Sequence, residues 1–374
     1  LYWNGATDSK LDDNGESGAD ADNAIIIDSA EELAYLVRDV ATRGSVADKY
    51  YKIADGIGAI VLQPKAYVDE IMALDSAAAV ENYFSDTSKT FLEWAGCEGW
   101  EQGSFAGTFD GNGVTIYGLY GDPDSAYGNK GLFSPVDAGA TFKNFTIKNA
   151  YLHTTLTNFN VGAIACVSSG SDYDKGLGFI WVDRCAVVNS YIRNDCDQWG
   201  RSGIMLGVLN ESEAAYFDNC FVYGNDAAYG PNDTPMAILG SARNSISPAD
   251  ATNIPEGLET VLASDNLYRS MVRNSIVIGA TPYISAANCY RINDKESFVN
   301  VYTDAEVESA AANVTYEENQ IKKLSAIDGA TIAAEAENLD WNTVWFAADM
   351  PAFRDAHDDV LSAVPYAEDN YAGH

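Results

Sequence analysis

Basic residues are scarce in this sequence. Twenty-two lysines and arginines stand against 55 aspartates and glutamates, for a formal net charge of −33. A surface that negative repels nucleic acid and anionic membranes at long range, so neither is expected as a partner. Histidine is scarcer still, with only His153, His357 and His374. The six cysteines (Cys97, Cys166, Cys185, Cys196, Cys220 and Cys289) include no CxxC pair, which argues against zinc and redox chemistry. No apolar run reaches the roughly 18 residues of a membrane span, so no membrane insertion of this segment is expected. P-loop, GxSxG and HExxH motifs are missing as well. So are an initiating Met and a signal peptide, which fits a mature piece of a larger multidomain chain, monomeric within it.

The surplus carboxylates read as a solvated acidic surface. Structural Ca2+ is the alternative, because calcium prefers hard oxygen ligands; no other cofactor is expected. The aspartates of residues 1–23 (Asp8, Asp12, Asp13, Asp20 and Asp22) do not follow the spacing of a calcium loop. That stretch reads as an acidic tail or linker, and residues 361–374 as a second tail.

Between the tails, residues 24–360 read as one domain. Ile25–Ile27 is β-type. Ser29 and Glu32 then form an S-x-x-E capping box, in which each side chain satisfies the other residue's free backbone N–H. Leu33, Leu36, Val37 and Val40 follow at helical spacing, which predicts an amphipathic helix over 30–42. At the start of a stack of coils such a helix seals the open end of the core. Tyr50 to Leu62 reads as a strand with a glycine-containing break. Residues 65–83 read as a helical excursion with Val68, Ile71 and Met72 on one face. Capping helix and first coils thus occupy 24–104, repeat coils 105–303 and a closing segment 304–360, whose Trp341 and Trp345 read as closing the end of the core.

Within 105–303, short β-type segments alternate with Gly, Asn, Asp and Ser turns. Phe142–Ile147, Val182–Val187, Phe217–Val222 and Val272–Val277 align as apolar, polar, Asn, small or apolar, any, β-branched, and Ala287–Tyr290 is a truncated fifth copy. Upstream of these lie the glycine-bearing pieces Gly131–Phe133, Val161–Ile164, Gly203–Gly207 and Ala237–Gly240. Repetition of this kind favours a solenoid over a sandwich. Stacking places Cys185, Cys220 and Cys289 in one interior column as free, buried thiols. Asn144, Asn219, Asn274 and Asn288 fall at a turn that uses asparagine's tolerance of left-handed backbone. Flat glycine strands allow neighbouring backbones to approach closely. Long loops such as 168–178 and 243–268 emerge from one side, and loops on a rigid stack are where function usually resides.

Phe105-Ala106-Gly107-Thr108-Phe109-Asp110-Gly111-Asn112-Gly113-Val114-Thr115-Ile116-Tyr117-Gly118-Leu119 resembles the "F-x-G-x-F-D-G-N-G-x-x-I-x-G-L" block of the GLUG-motif family of bacterial surface proteins. Gly131-Leu132-Phe133-Ser134 resembles the motif that names the family, with Ser134 in place of its final Gly. Leu339–Trp345 followed by Pro351 resembles the family's closing segment. The resemblance covers most of 25–354. It implies an all-β, right-handed parallel β-helix with an N-terminal capping helix and loop or helix excursions. It also implies an extracellular, cell-surface location and adhesin-like binding, with no catalytic residues to carry over.

β-Helices also host polysaccharide-degrading enzymes. With 55 acidic residues a carboxylate pair is certain by chance and says nothing alone. The G-H-G and R-I-K segments of polygalacturonase-like enzymes are missing. Arg184 and Arg273 lie inside structural repeats, His153 reads as a surface residue beside Tyr151, and Arg354 to Asp359 as a solvated face. Aromatics are the remaining candidates, since Tyr and Trp pair a large apolar face with a polar tip. Trp94, Trp100 and Trp181 are among them; Tyr173, Trp199, Tyr223 and Tyr229 lie in loop-like stretches and are the ligand-binding candidates. The expected activity is recognition of a host or environmental glycan or surface protein. A structural spacer and a lyase or glycoside hydrolase with a non-standard site are the alternatives.

Overall fold

The computed structural model of the chain describes residues 1–7, 11, 16–43, 49–97, 104–167, 178–196, 201–209, 213–241, 245–251, 254, 259, 266–284, 297–305, 317, 319–341 and 345. Strand outweighs helix, 40% to 16%, so the protein is mainly β. The strands begin with β1 (Ile25–Ile27), β2 (Tyr50–Ile53), β3 (Ala59–Val61), β4 (Thr108–Tyr117), β5 (Tyr120–Gly121), β6 (Thr141–Lys148), β7 (Tyr151–Thr154) and β8 (Ala165–Val167). They continue with β9 (Gly178–Val188), β10 (Tyr191–Asn194), β11 (Gly203–Val208), β12 (Glu213–Asp218), β13 (Phe221–Tyr223), β14 (Asp226–Tyr229), β15 (Thr234–Pro235) and β16 (Ala237–Ser241). The last six are β17 (Ser245–Ile246), β18 (Tyr268–Arg269), β19 (Met271–Val277), β20 (Thr281–Ile284), β21 (Phe298–Thr303) and β22 (Ile321–Lys323).

These strands build three stacked ladders. The first runs β1-β2-β4-β6-β9-β12-β19-β21-β22, with β3 and β13 joining from the side; the second contains β5-β7-β10-β14 and the third β8-β11-β16-β20. Every pairing within these three ladders is parallel. From β6 to β16 the chain visits the ladders in one cyclic order: first, second, third, then first again.

The turns between ladders are written by residues with left-handed backbone. Asn144 (φ 61°), Arg184 (φ 50°), Asn219 (φ 54°) and Asn274 (φ 48°) bend the first ladder midway, as the asparagine repeat predicts. Five residues later Asn149 (φ 56°), Asn189 (φ 50°), Gly224 (φ 68°) and Gly279 (φ 75°) turn the chain out of it. Asparagine and glycine tolerate this region, where a Cβ-bearing residue ordinarily loses about 1–2 kcal/mol. The third ladder needs glycine for another reason. A Cβ on Gly162 would lie 2.3 Å from the Ala165 carbonyl oxygen, and one on Gly207 would lie 2.2 Å from that of Cys166.

One apolar core fills the space between the ladders, with Tyr51, Phe109, Phe142, Val182, Phe217, Val272 and Phe298 as its first-ladder row. Cys185 pairs in register with Phe145, and its thiol donates to the Phe142 carbonyl; Cys220 donates likewise to that of Val182 one strand further along the ladder. The five described cysteines are buried, with Cys97, Cys185 and Cys220 as free thiols, while Cys289 and Asn288 lie outside the described residues.

The end helix is present as α1 (Ala30–Arg43), and Leu33, Leu36 and Val37 enter the main core. Its capping differs from the expected box: Ser29 accepts from the Glu32 N–H, but Glu32 accepts from Asp28 N–H at 2.8 Å, one residue further out. Part of the expected N-terminal tail is built in. Trp3 is buried edge-on against Trp94 (4.9 Å between ring centres, 74°), and its backbone N–H bonds Val61. The excursion forms α2 (Val68–Met72) and α3 (Ala77–Phe84); Ile71 is buried but Met72 is exposed, so they do not share one covered face. Trp345 is buried beside Phe221, Ile276 and Tyr302, on the outward side of the first ladder. The closing segment with α4 (Gly329–Glu335) therefore covers a flank, where the sequence suggests an end of the core.

Candidate functional site

Alternation along parallel strands puts every second residue of the first ladder on its outer face. Two outer rows flank the buried row. Tyr50, Thr108, Thr141, Trp181, Tyr216 and Met271 align across β2, β4, β6, β9, β12 and β19. Two residues on, Lys52, Asp110, Lys143, Asp183, Asp218 and Arg273 align across the same strands. An almost alternating ladder of charge thus lies beside a row that carries aromatics.

The rows are tied together by one construction used twice. Tyr50 Oη donates to Asp110 Oδ2 at 2.8 Å, and Lys143 Nζ, on the following strand, lies 3.8 Å from the same oxygen. Three strands along, Trp181 Nε1 donates to Asp218 Oδ2 at 2.8 Å, and Arg273 grips both carboxylate oxygens at 2.5 and 2.8 Å. The asparagine turn reinforces it, with Asn144 donating to Asp110 (2.9 Å) and Asn219 to Asp183 (3.1 Å). These aspartates are nearly buried, and buried carboxylates persist only when bonded this fully. Burial pushes the Asp183 carboxyl above the usual carboxylate range, against the pull of Arg184 and Asn219. Burial and the bond to Asp110 likewise raise the Tyr50 phenol.

The face is closed at one end. Ile246 and Tyr268 pack with Phe179, Tyr216 and Met271, and Trp181 stands at the border of that cluster. From Trp181 back to Tyr50 the row-one side chains are half-buried, and Lys143 Nζ lies 5.0 Å from the centre of the Tyr50 ring. Chemically this strip offers two braced aromatic rings, two threonine side chains between them and charges already neutralised by neighbours.

The residues singled out by sequence are scattered. Tyr173, Trp199, Trp100, His357, His374 and the Arg354 to Asp359 cluster lie outside the described residues. Tyr223 stacks on Phe221 (5.8 Å, 9°) and packs into the flank cluster with Trp345; Tyr229, on the second ladder, packs against the main core. Both are half-buried. Trp94 is fully buried and donates to the Leu132 carbonyl. His153 sits on the second ladder with Nε2 2.7 Å from Asp195 Oδ2, beside the stacked Tyr151 and Tyr191. Among the described residues no group of three or more His, Cys, Asp or Glu side chains is placed to hold a metal ion. Nor is any described helix long and apolar enough to cross a membrane.

Tyr50 and the aromatic–aspartate–cation pattern escape a reading by sequence. The partners lie 60, 37 and 55 positions apart, and only strand register brings them together. The chain matches no protein-family model, no curated protein and no solved structure.

Proposed function

We propose that the chain is a right-handed parallel β-helix serving as an extracellular, adhesin-like binding module of a cell-surface protein, and that the outer strip of the first ladder is its ligand surface. The cyclic visiting of three parallel ladders supports the β-helix, and parallel crossovers are right-handed in nearly all proteins. The resemblance of Phe105–Leu119 and Gly131–Ser134 to the GLUG-motif family supports the surface location and the adhesin-like role. The observation that carries the binding reading is the repeated bracing of Tyr50 and Trp181 by Asp110 and Asp218. Rigid aromatics lose little entropy when a ligand docks on them.

One feature favours a glycoside hydrolase instead. Asp183 and Asp218 are in register on adjacent strands, one strand spacing of about 4.8 Å apart, and burial raises the Asp183 carboxyl, as an acid catalyst requires. Both carboxylates are nonetheless occupied by Arg184 and Arg273, which leaves neither free to reach a glycosidic oxygen.

A glycan array run beside a reducing-end assay separates the two. Binding without sugar release is the expected result; release at catalytic rates would replace this reading with the hydrolase.

A further inference from the structure

Building on the binding reading, we infer that the ligand is a linear, uncharged glycan lying across the strands, along the stacking direction, with one sugar ring per strand between Tyr50 and Trp181. Three observations carry this.

The first is spacing. Tyr50 and Trp181 occupy one register row with Thr108 and Thr141 between them. Three strand spacings separate the aromatics, or about 14 Å at about 4.8 Å each. One strand spacing is close to the rise of one pyranose unit in an extended glycan. Four consecutive sugars would therefore place the first and last over the two aromatics.

The second is charge. Each cation on this strip is already paired: Lys52 with Asp55 (3.1 Å), Lys143 with Asp110 (3.8 Å), Arg184 with Asp183 (2.9 Å) and Arg273 with Asp218 (2.5 Å). An anionic sugar would have to break one of these pairs while approaching a chain of net charge −33. A neutral sugar meets neither cost.

The third is chemistry. Aromatic faces accept the apolar C–H face of a sugar ring. The Thr108 and Thr141 hydroxyls and the Lys143 ammonium, beside Tyr50, offer hydrogen bonds to sugar hydroxyls from known register positions. Because both rings are held by their polar tips, they meet the ligand already oriented.

The test is calorimetric titration of the full chain with β-1,4-linked gluco-, manno- and xylo-oligosaccharides, from disaccharide to hexasaccharide. In at least one series, affinity should climb steeply to the tetrasaccharide and then level off. Trp181→Ala and Tyr50→Ala should each weaken the tetrasaccharide about tenfold, the loss expected for one stacking contact of about 1.4 kcal/mol. Trp181→Phe keeps a ring and removes the bond to Asp218, so it should bind more weakly than the parent but better than Trp181→Ala, which controls for misfolding and reads the brace separately from the ring. Affinity independent of length, indifference to both alanine variants in folded protein, or failure of all three series would overturn the inference. If the array in those cases returns another ligand, the binding-module reading stands; if it returns none of any class, both readings fall.

Discussion

Trp181 and Asp218 are joined across one strand spacing by a 2.8 Å indole-to-carboxylate hydrogen bond, and Arg273 closes on the same carboxylate from the next strand. Asp218 is thus the hub of the strip, fixing an aromatic on one side and neutralising a guanidinium on the other. Replacing it by alanine should do more than loosen Trp181. Arg273 would be left half-buried without its partner, and removing one member of a buried pair typically costs about 3–5 kcal/mol. Denaturant unfolding of Asp218→Ala should show a loss of that order. The Arg273→Met/Asp218→Leu double variant should recover much of it, because both buried charges are then gone. A small loss in Asp218→Ala would mean that the pair is not buried as described.

Asp183 gives the strip a pH signature. Its folded pKa lies above its ordinary value because burial disfavours the charged form. A raised carboxyl binds a proton more readily in the folded state, so its cost to stability is missing in acid. It appears as pH rises from the ordinary aspartate range through the folded pKa. Asp183→Asn removes that titration. Melting curves from about pH 3.5 to 7 should show the variant gaining on the parent as pH rises, over the window just above the ordinary aspartate pKa of about 3.9. A difference that stays constant with pH would show that Asp183 titrates normally.

The buried thiols should be inert. Burial pushes the Cys97 thiol up to about 12 and those of Cys185 and Cys220 well above their ordinary range, and the thiolate is the reactive form. In a Cys289→Ser background, a disulfide-exchange reagent at neutral pH should leave Cys97, Cys185 and Cys220 unlabelled in native protein and label all three in denaturant. Rapid native labelling of Cys185 or Cys220 would contradict the interior column.

Legibility from sequence stops where register begins. The apolar–polar–Asn repeat is visible because each copy carries its own Asn or Arg, and the structure places Asn144, Arg184, Asn219 and Asn274 at one left-handed bend. The second bend, five residues on, hides because it is shared between Asn149 and Asn189 after some strands and Gly224 and Gly279 after others. Either residue satisfies the same backbone, so no single letter repeats. The charge ladder is hidden more deeply. Asp110 and Lys143 are unremarkable until β4 and β6 are laid side by side, and a one-residue slip would turn them inward. Tyr50 falls outside the aligned repeats altogether. The emphasis on loops likewise follows from composition, whereas the braced aromatics stand on strands.

Asn149 makes the second bend testable. Its amide donates to the carbonyls of Ile71 and Leu74, both at 2.9 Å, so it holds the α2–α3 excursion against the stack as well as turning the chain. Asn149→Gly keeps the turn and loses the tether; Asn149→Ala loses both. Alanine should be the more destabilising by about 1–2 kcal/mol in equilibrium unfolding, the cost of left-handed backbone for a residue with a Cβ. Both variants should raise amide exchange in residues 68–84. Equal stabilities would show that the left-handed turn does not govern this position.

Footprinting the strip with ligand bound bears most directly on the binding reading. Hydroxyl radicals oxidise exposed tryptophan and tyrosine, and Tyr50 and Trp181 are half-buried and open to attack in the free protein. With the glycan selected on the array at saturation, both should be protected together, while Tyr223 and Tyr229 remain unchanged. Protection that falls on Tyr223, Tyr229 or the loops and leaves Tyr50 and Trp181 as reactive as before would contradict the assignment of the ligand surface.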